Sequence, residues 1–330
     1  MKVLVIAEAG VNHNGNLKIA KKLVDVAKSA KADYIKFQSF THNKLVTMNS
    51  PKANYQKSSL ISKETQSSML KKLELSKLNH LKLIDYCKKK KIKFLSTAFD
   101  IDNLKFLLKT KIDFIKIPSG EITNLPLLKY IKKINKEILL STGASTLKEI
   151  KIALKILNKK KKNITILQCN TAYPTPIKHL NLNTLITFKK KFNCKVGFSD
   201  HSLSIIAPAA AVALGATIIE KHFTLSRSMK GPDHKSSLEP GELSEMIKNI
   251  REIEQALGSS KKNITKSERE NRKIIRKSLV ANVLIKKGQK FDQSNILPKR
   301  PAGGISPMDI EKIIGKKAKK DFLPDEKIKI

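Results

Sequence analysis

Along the first 258 positions, hydrophobic residues alternate between two patterns. Short unbroken apolar runs come first at Val3–Ala7 and Tyr34-Ile-Lys-Phe-Gln38, the mark of strands buried on both faces. Between them Leu17, Ala20, Leu23, Val24 and Ala27 recur at helical spacing, so the unit reads β-α-β with parallel strands. The pattern predicts further strands at Lys93–Thr97, Phe114–Pro118, Glu137–Ser141, Ile164–Cys169, Lys195–Phe198 and Ala216–Lys221. It predicts further helices at Gln66–Lys91, Asp102–Lys109, Leu125–Lys133, Thr146–Leu157, Leu182–Lys190, Ile205–Leu214 and Pro240–Leu257. About eight such units in this length match a (β/α)8 TIM barrel. A doubly wound open sheet is the rival, but it calls for a Gly-rich phosphate loop after the first strand. The glycines of Ala9-Gly-Val-Asn-His-Asn-Gly15 lack that spacing, so the barrel is the expectation.

Two connections are long, Ser39–Thr65 and Thr224–Glu239, and loops of that kind in a compact domain often serve as lids or binding loops. The alternation stops after Gly258. We expect residues 1–258 to form the barrel, 259–277 a partly helical linker and 278–330 a small domain of short strands and turns. A domain that small lies near the lower limit of independent stability.

Polar residues close nearly every predicted strand at its C-terminal end, where barrel enzymes build their sites. They are Glu8, Lys36 with Gln38, Thr97, Lys116 with Ser119 and Glu121, Ser141-Thr142, Thr171 with Tyr173, Ser199-Asp200-His201 and Lys221-His222. His201 and His222 hold matching places on consecutive strands, so two imidazoles can meet one divalent cation, with Asp200 as a neighbour behind them. Mn, Fe, Co or Zn suits two imidazoles with open positions, and Glu8 or substrate can add oxygen ligands. Ordinary hydrogen-bonded loop histidines are the bland alternative. Lys36 and Lys116 interrupt apolar strands, and a buried lysine is costly unless paired. With Thr97, Ser119, Thr171 and Ser199 they make a ring suited to a phosphate or carboxylate; either lysine could instead form a Schiff base. Glu121 can serve as a general acid or base, and Arg300, in a Pro/Gly turn, suits a planar bidentate ligand.

Composition adds little to this picture except at the extremes. The formal charge is +38, carried mostly by lysines spread over nearly every predicted helix. Lysine runs at 88–91 and 159–162 fall at predicted helix ends, where cations suit the dipole. Aromatic residues are only 5% and no reading motif is present, so specific nucleic-acid binding is not expected. A carbohydrate- or polyanion-binding protein using the basic surface is the rival outside enzymes. Cys87, Cys169 and Cys194 are unpaired in pattern, and the N-terminus lacks a signal-peptide layout. With no membrane span in the pattern, the expectation is a cytoplasmic protein.

Read together, the motifs resemble the sialic acid synthase family. They include Ala7-Glu-Ala-Gly-Val-Asn-His-Asn-Gly15, Lys36-Phe-Gln38, Lys116-Ile-Pro-Ser-Gly-Glu121, Leu140-Ser-Thr-Gly143, Tyr173-Pro-Thr-Pro176, Gly197-Phe-Ser-Asp-His201, Glu220-Lys-His-Phe-Thr224, Gly231-Pro-Asp-His234 and Lys299-Arg-Pro301. The C-terminal stretch is similar to the antifreeze-like SAF domain. The resemblance implies condensation of phosphoenolpyruvate with an N-acetylated hexosamine to a nine-carbon 2-keto acid. It implies a divalent metal, Mn2+ first, with Mg2+ or Co2+ as alternatives, held by His201 and His222. Phosphoenolpyruvate would meet Lys36, Thr97, Lys116, Ser119, Thr171 and Ser199. The sugar would meet Gln38, Tyr173, Asp233 and Arg300, with Arg300 reaching the partner subunit of a domain-swapped homodimer. Glu121 and Glu8 complete the implied catalytic set. Thr171 stands where the family sometimes has Asn, and Ala144 where it commonly has Met. The motif forms favour N-acetylneuraminate as product, with N,N'-diacetyllegionaminate as the alternative and the pseudaminate branch set aside.

Overall fold

The structure, a computed structural model, describes residues 2–53, 56, 64–158, 160 and 163–330. The chain divides into two compact units, Met1–Gly258 and Ser259–Ile330.

Eight parallel strands form the first unit's sheet: β1 (Leu4–Gly10), β2 (Tyr34–Ser39), β3 (Lys93–Ala98), β4 (Phe114–Ile117), β5 (Glu137–Ser141), β6 (Ile164–Cys169), β7 (Lys195–Asp200) and β8 (Ile218–His222). Their ladder order is β3-β2-β1-β8-β7-β6-β5-β4, so consecutive strands are neighbours and β1 meets β8. This is the near-closed barrel that the apolar runs predict; among the described residues no ladder joins β3 to β4. The runs are unbroken because the bore fills one strand face and the helices cover the other.

Around the sheet run α1 (Leu17–Ser29), α2 (His42–Leu45), α3 (Gln66–Leu73), α4 (Lys77–Lys90), α5 (Ile101–Lys109), α6 (Leu125–Lys132), α7 (Leu147–Leu157), α8 (Thr184–Phe192), α9 (Ala207–Ala213) and α10 (Pro240–Ala256). The apolar stripe Ala20, Leu23, Val24 and Ala27 is the buried face of α1, and Asn16 caps it by accepting from Lys18 N and Ile19 N. The single helix expected over 66–91 is two helices. Glu74 is extended, and the Ser76 side chain accepts from Asn79 N to start α4. Local capping chemistry outweighs the continuous helical spacing there. Within the expected lid loop 39–65, α2 is short and regular, while positions 54, 55 and 57–63 lie outside the described residues. The same holds for 159, 161 and 162 of the second lysine run. No described helix is long and apolar enough to cross a membrane.

Asp200 corrects an expectation. Side chains alternate along a strand, so Ser199 and His201 point one way and Asp200 the other. Asp200 does not back a histidine. It accepts from Lys221 Nζ at 2.6 Å and from Ser202 N at 2.8 Å, with both partners of the ion pair fully buried. Lys221 also donates to the Ser202 and Ser204 carbonyls, so this strand-end lysine is structural.

In the second unit α11 (Glu268–Ile275) precedes the antiparallel pair β9 (Ser278–Ala281) and β10 (Ile296–Lys299). Leu279, Ile285, Phe291, Ile296, Phe322 and Ile328 form its small core. The last expected strand is reduced to an isolated bridge between Val280 and Lys327.

Removing Asp200 leaves the Lys221 ammonium buried without its counter-ion. Asp200→Ala is expected to cost about 3–5 kcal/mol in urea unfolding. Lys221→Met, which leaves Asp200 its Ser202 donors, is expected to cost less. Equal costs would show that the ion pair is not what holds this layer.

Candidate active site

The C-terminal ends of the strands surround a cavity of about 310 Å³. Of the side chains singled out from the sequence, Glu8, Lys36, Gln38, Thr97, Lys116, Ser119, Thr171, Tyr173, Ser199, His201, His222 and Asp233 all line it. Two do not. The Glu121 carboxylate accepts from Asn124 Nδ2, three residues on in the same turn, and is outside the lining. Arg300 is exposed in the second unit.

A buried four-charge cluster forms the cavity floor. Lys36 Nζ lies 2.9 Å from Glu8 and 3.6 Å from Glu220, and Lys116 Nζ lies 2.7 Å from Glu220. Lys36 also donates to Thr97 Oγ1, and Ser199 Oγ donates to Glu220 at 3.1 Å. Burial works against the Glu220 carboxylate, but the fields of Lys116 and Lys36 outweigh it and hold its pKa well below the usual range. For Glu8 burial prevails over the pull of Lys36, helped by the neighbouring Glu220 charge, and its pKa rises to about 7. Burial disfavours the Lys36 cation, yet Glu220 and Glu8 together raise its pKa. A cation held protonated in this way is a poor Schiff-base nucleophile and a good anion partner.

Glu220 escaped the sequence reading. Strand alternation was the available signal: 220 and 222 share a face, as do 199 and 201. Ser141 was noted only as a strand end. Its Oγ lines the cavity, buried and without a hydrogen-bond partner, as a ligand-binding hydroxyl would be. Beside it, Gly143 N donates to Ser119 Oγ. A Cβ on Gly143 would come within 2.7 Å of Thr171 and 2.8 Å of Ser119, so only glycine lets these hydroxyls converge.

On the wall above the floor the rings of His201 and His222 lie 5.3 Å apart. His201 Nδ1 donates to the Asn170 carbonyl, which leaves the Nε2 lone pair free to accept from Tyr173 Oη at 3.0 Å. His222 Nδ1 is buried without a hydrogen-bond partner. Burial first, then the His201 and Lys36 charges, keep His222 neutral. Gly10 is at φ +53°, and a Cβ there would press to 3.1 Å from the His222 ring. Burial works against the His201 cation, but Cys169 and the Asn170 carbonyl raise its pKa, so of the two rings His222 is the one held neutral. Two imidazoles on one wall suit a divalent cation, which would take the place of the His201 proton. No cluster of three His, Cys, Asp or Glu side chains forms a closed metal site among the described residues. Cys169 Sγ lies 3.8 Å from His201 Nδ1.

A family model described as the NeuB family matches residues 23–262, and one described as the SAF domain matches residues 276–329. The chain is 49% identical to N,N'-diacetyllegionaminic acid synthase of Campylobacter jejuni over 331 residues, 99% of either chain. It is 38% identical to the Legionella pneumophila protein of the same name over 320 residues, 96% of this chain and 90% of that one. Among solved structures, N-acetylneuraminic acid (sialic acid) synthetase from Leptospira borgpetersenii superposes with a TM-score of 0.74 at 35% identity, over 82% of this chain and 90% of that one.

Asp233 closes the cavity from the Thr224–Glu239 connection. Burial raises its pKa from 3.8 to about 6, against the attraction of His201. Between those values the folded state keeps a proton that the unfolded chain has lost. Its contribution to stability is thus full below pH 3.8 and disappears as pH rises through about 6. Asp233→Asn should match wild type near pH 3.5 and exceed it near pH 8 by up to about 3 kcal/mol. Thermal unfolding at the two pH values reads the difference; an equal gain at both would mean that the carboxyl titrates normally.

Proposed function

The chain belongs to the NeuB family, and from that premise we propose that it condenses phosphoenolpyruvate with an N-acylated aldose to a nine-carbon 2-keto sugar acid of the N,N'-diacetyllegionaminate type. The observation that carries the reading is the buried pair Lys36 and Lys116, with Ser119, Ser141 and Ser199 around them and His201 and His222 above. Such a floor suits the phosphate and carboxylate of phosphoenolpyruvate, and the two lysines would exchange part of their contact with Glu8 and Glu220 for the ligand. Thr97 and Thr171 extend the same ring.

The bond to be made joins C3 of phosphoenolpyruvate to the aldehyde carbon of the acceptor, whose oxygen takes up a proton. Water adds at C2 and gives up a proton. The C2–O bond to phosphate then breaks, the leaving oxygen takes the electron pair, and the C2 hydroxyl gives its remaining proton to the departing phosphate as the C2 ketone forms. One phosphoenolpyruvate, one aldose and one water yield one keto acid and one phosphate. A divalent ion, Mn2+ first and Mg2+ or Co2+ as alternatives, would be held by His201 and His222 and would supply Lewis-acid polarisation of the aldehyde. Glu8, with a pKa of about 7, and Asp233, with one of about 6, suit proton transfer at neutral pH. Gln38 and Tyr173 would position the sugar. For Glu121 and Arg300 we propose contacts with the outer hydroxyls of the acceptor, Arg300 from the partner subunit of a homodimer.

The sequence motifs favoured N-acetylneuraminate. The two legionaminic acid synthases at 49% and 38% identity support the other branch. The Leptospira synthetase structure at 35% identity keeps neuraminate as the second reading. Phosphate release from phosphoenolpyruvate by metal-stripped protein with Mn2+ restored separates them. We expect metal-dependent release with 2,4-diacetamido-2,4,6-trideoxymannose at higher kcat/KM than with N-acetylmannosamine. The reverse preference moves the assignment to neuraminate, and no release with either sinks both. Lys116→Met should lower kcat/KM for phosphoenolpyruvate by about 100-fold or more, since a charged hydrogen-bond donor to the anion is lost.

A further inference from the structure

Chemically, the cavity has two sides. The floor and one wall carry ions, hydroxyls and imidazoles. Opposite in character are Leu45, Val46, Met69, Leu70 and Phe99. They belong to an apolar cluster separate from the barrel core, assembled from α2 and the residue after it, α3 and the segments after β1, β2 and β3, which supply Val11, Phe40 and Phe99. Leu45, Val46 and Phe99 are only half-buried, so this cluster leaves apolar surface uncovered beside the site. Among the described residues, the cavity lining drawn from residues 45–73 contains no charged side chain, in a chain that is 28% charged. Its polar members are two amides, Gln56 and Gln66, in a long 3.4 Å contact with each other.

We propose that this wall reads the far end of the acceptor and selects a 6-deoxy sugar with a second N-acyl group over one with a hydroxyl at C6. The inference rests on the synthase reading and adds the residues that enforce its choice of substrate. Phosphoenolpyruvate takes the lysines, and the aldehyde end of the acceptor faces the histidines. With Glu121 and Arg300 assigned to its hydroxyls, the acceptor's C4 and C6 substituents are left to the apolar wall. A C6 methyl group buries there at no polar cost, and the glutamine amides suit an acylamino group. A C6 hydroxyl would give up its water for aliphatic carbon. An apolar pocket discriminates against an added hydroxyl by about 100-fold at most.

The test uses two acceptors that differ only at C6: 2,4-diacetamido-2,4,6-trideoxymannose and its 6-hydroxy counterpart. Wild-type enzyme supplied with Mn2+ should prefer the 6-deoxy sugar in kcat/KM by about 10–100-fold. Val46→Thr, near-isosteric and half-buried, and Leu45→Gln should each cut that ratio about tenfold and leave KM for phosphoenolpyruvate unchanged. Ile206→Thr, an exposed apolar position outside the lining, should keep the ratio and serves as control. Melting temperatures show that each variant is folded. An unchanged ratio in folded Val46→Thr and Leu45→Gln overturns the proposal, as does wild-type preference for the 6-hydroxy sugar. Turnover of neither acceptor by wild type would instead remove the synthase reading, and the proposal with it.

Discussion

The site depends on burying two lysines and two glutamates together at the barrel mouth. None of the four would be tolerated there alone, since an isolated ion in such surroundings costs several kcal/mol. Together they nearly cancel, and the imbalance between the two carboxyls is useful. Glu220 sits between both lysines and stays ionised; Glu8 has chiefly one and is left near neutrality. One carboxylate thereby holds the cations in place while the other is free to gain or lose a proton. The barrel makes this possible because inward-facing positions of β1, β2, β4 and β8 converge on one small volume.

Much of this was legible before the fold was known. Unbroken apolar runs gave all eight strands of the barrel, and polar residues at their ends pointed to the right face. Twelve side chains chosen that way line one cavity. Where the reading failed, it treated the strand ends as a list and overlooked their alternation. Asp200 and Lys221 are polar strand-end residues as much as Ser199 and Glu220 are, yet they face the helices and hold each other. Glu220 was passed over for its neighbours Lys221 and His222, although it shares a face with the histidine. The break between α3 and α4 depends on one serine cap inside a continuous helical pattern. Glu121 lies beside Ser119 in sequence, but its turn directs the carboxylate to Asn124. No pattern along the chain could have paired Leu45 and Val46 with Phe99, because their meeting depends on the path of a long connection.

The contrast between the two sides of the cavity follows from their origins. Strand ends supply the polar floor, where sheet geometry fixes each position to the pitch of the ladder. Short helices in a loop supply the apolar wall, where packing sets position. On the proposed reaction, such a division assigns phosphoenolpyruvate to positions set by the sheet and the acceptor to positions set by a loop.

Among the described residues no ladder pairs β3 with β4, and the charge cluster spans that joint. Thr97 stands on one lip of that joint and Lys116 on the other. Thr97 is tied to Lys36, Lys36 to Glu220 and Glu220 to Lys116, a chord across the bore that joins the two lips where no backbone ladder does. The ions that give the site its charge thus also tie together two strands that no ladder pairs among the described residues.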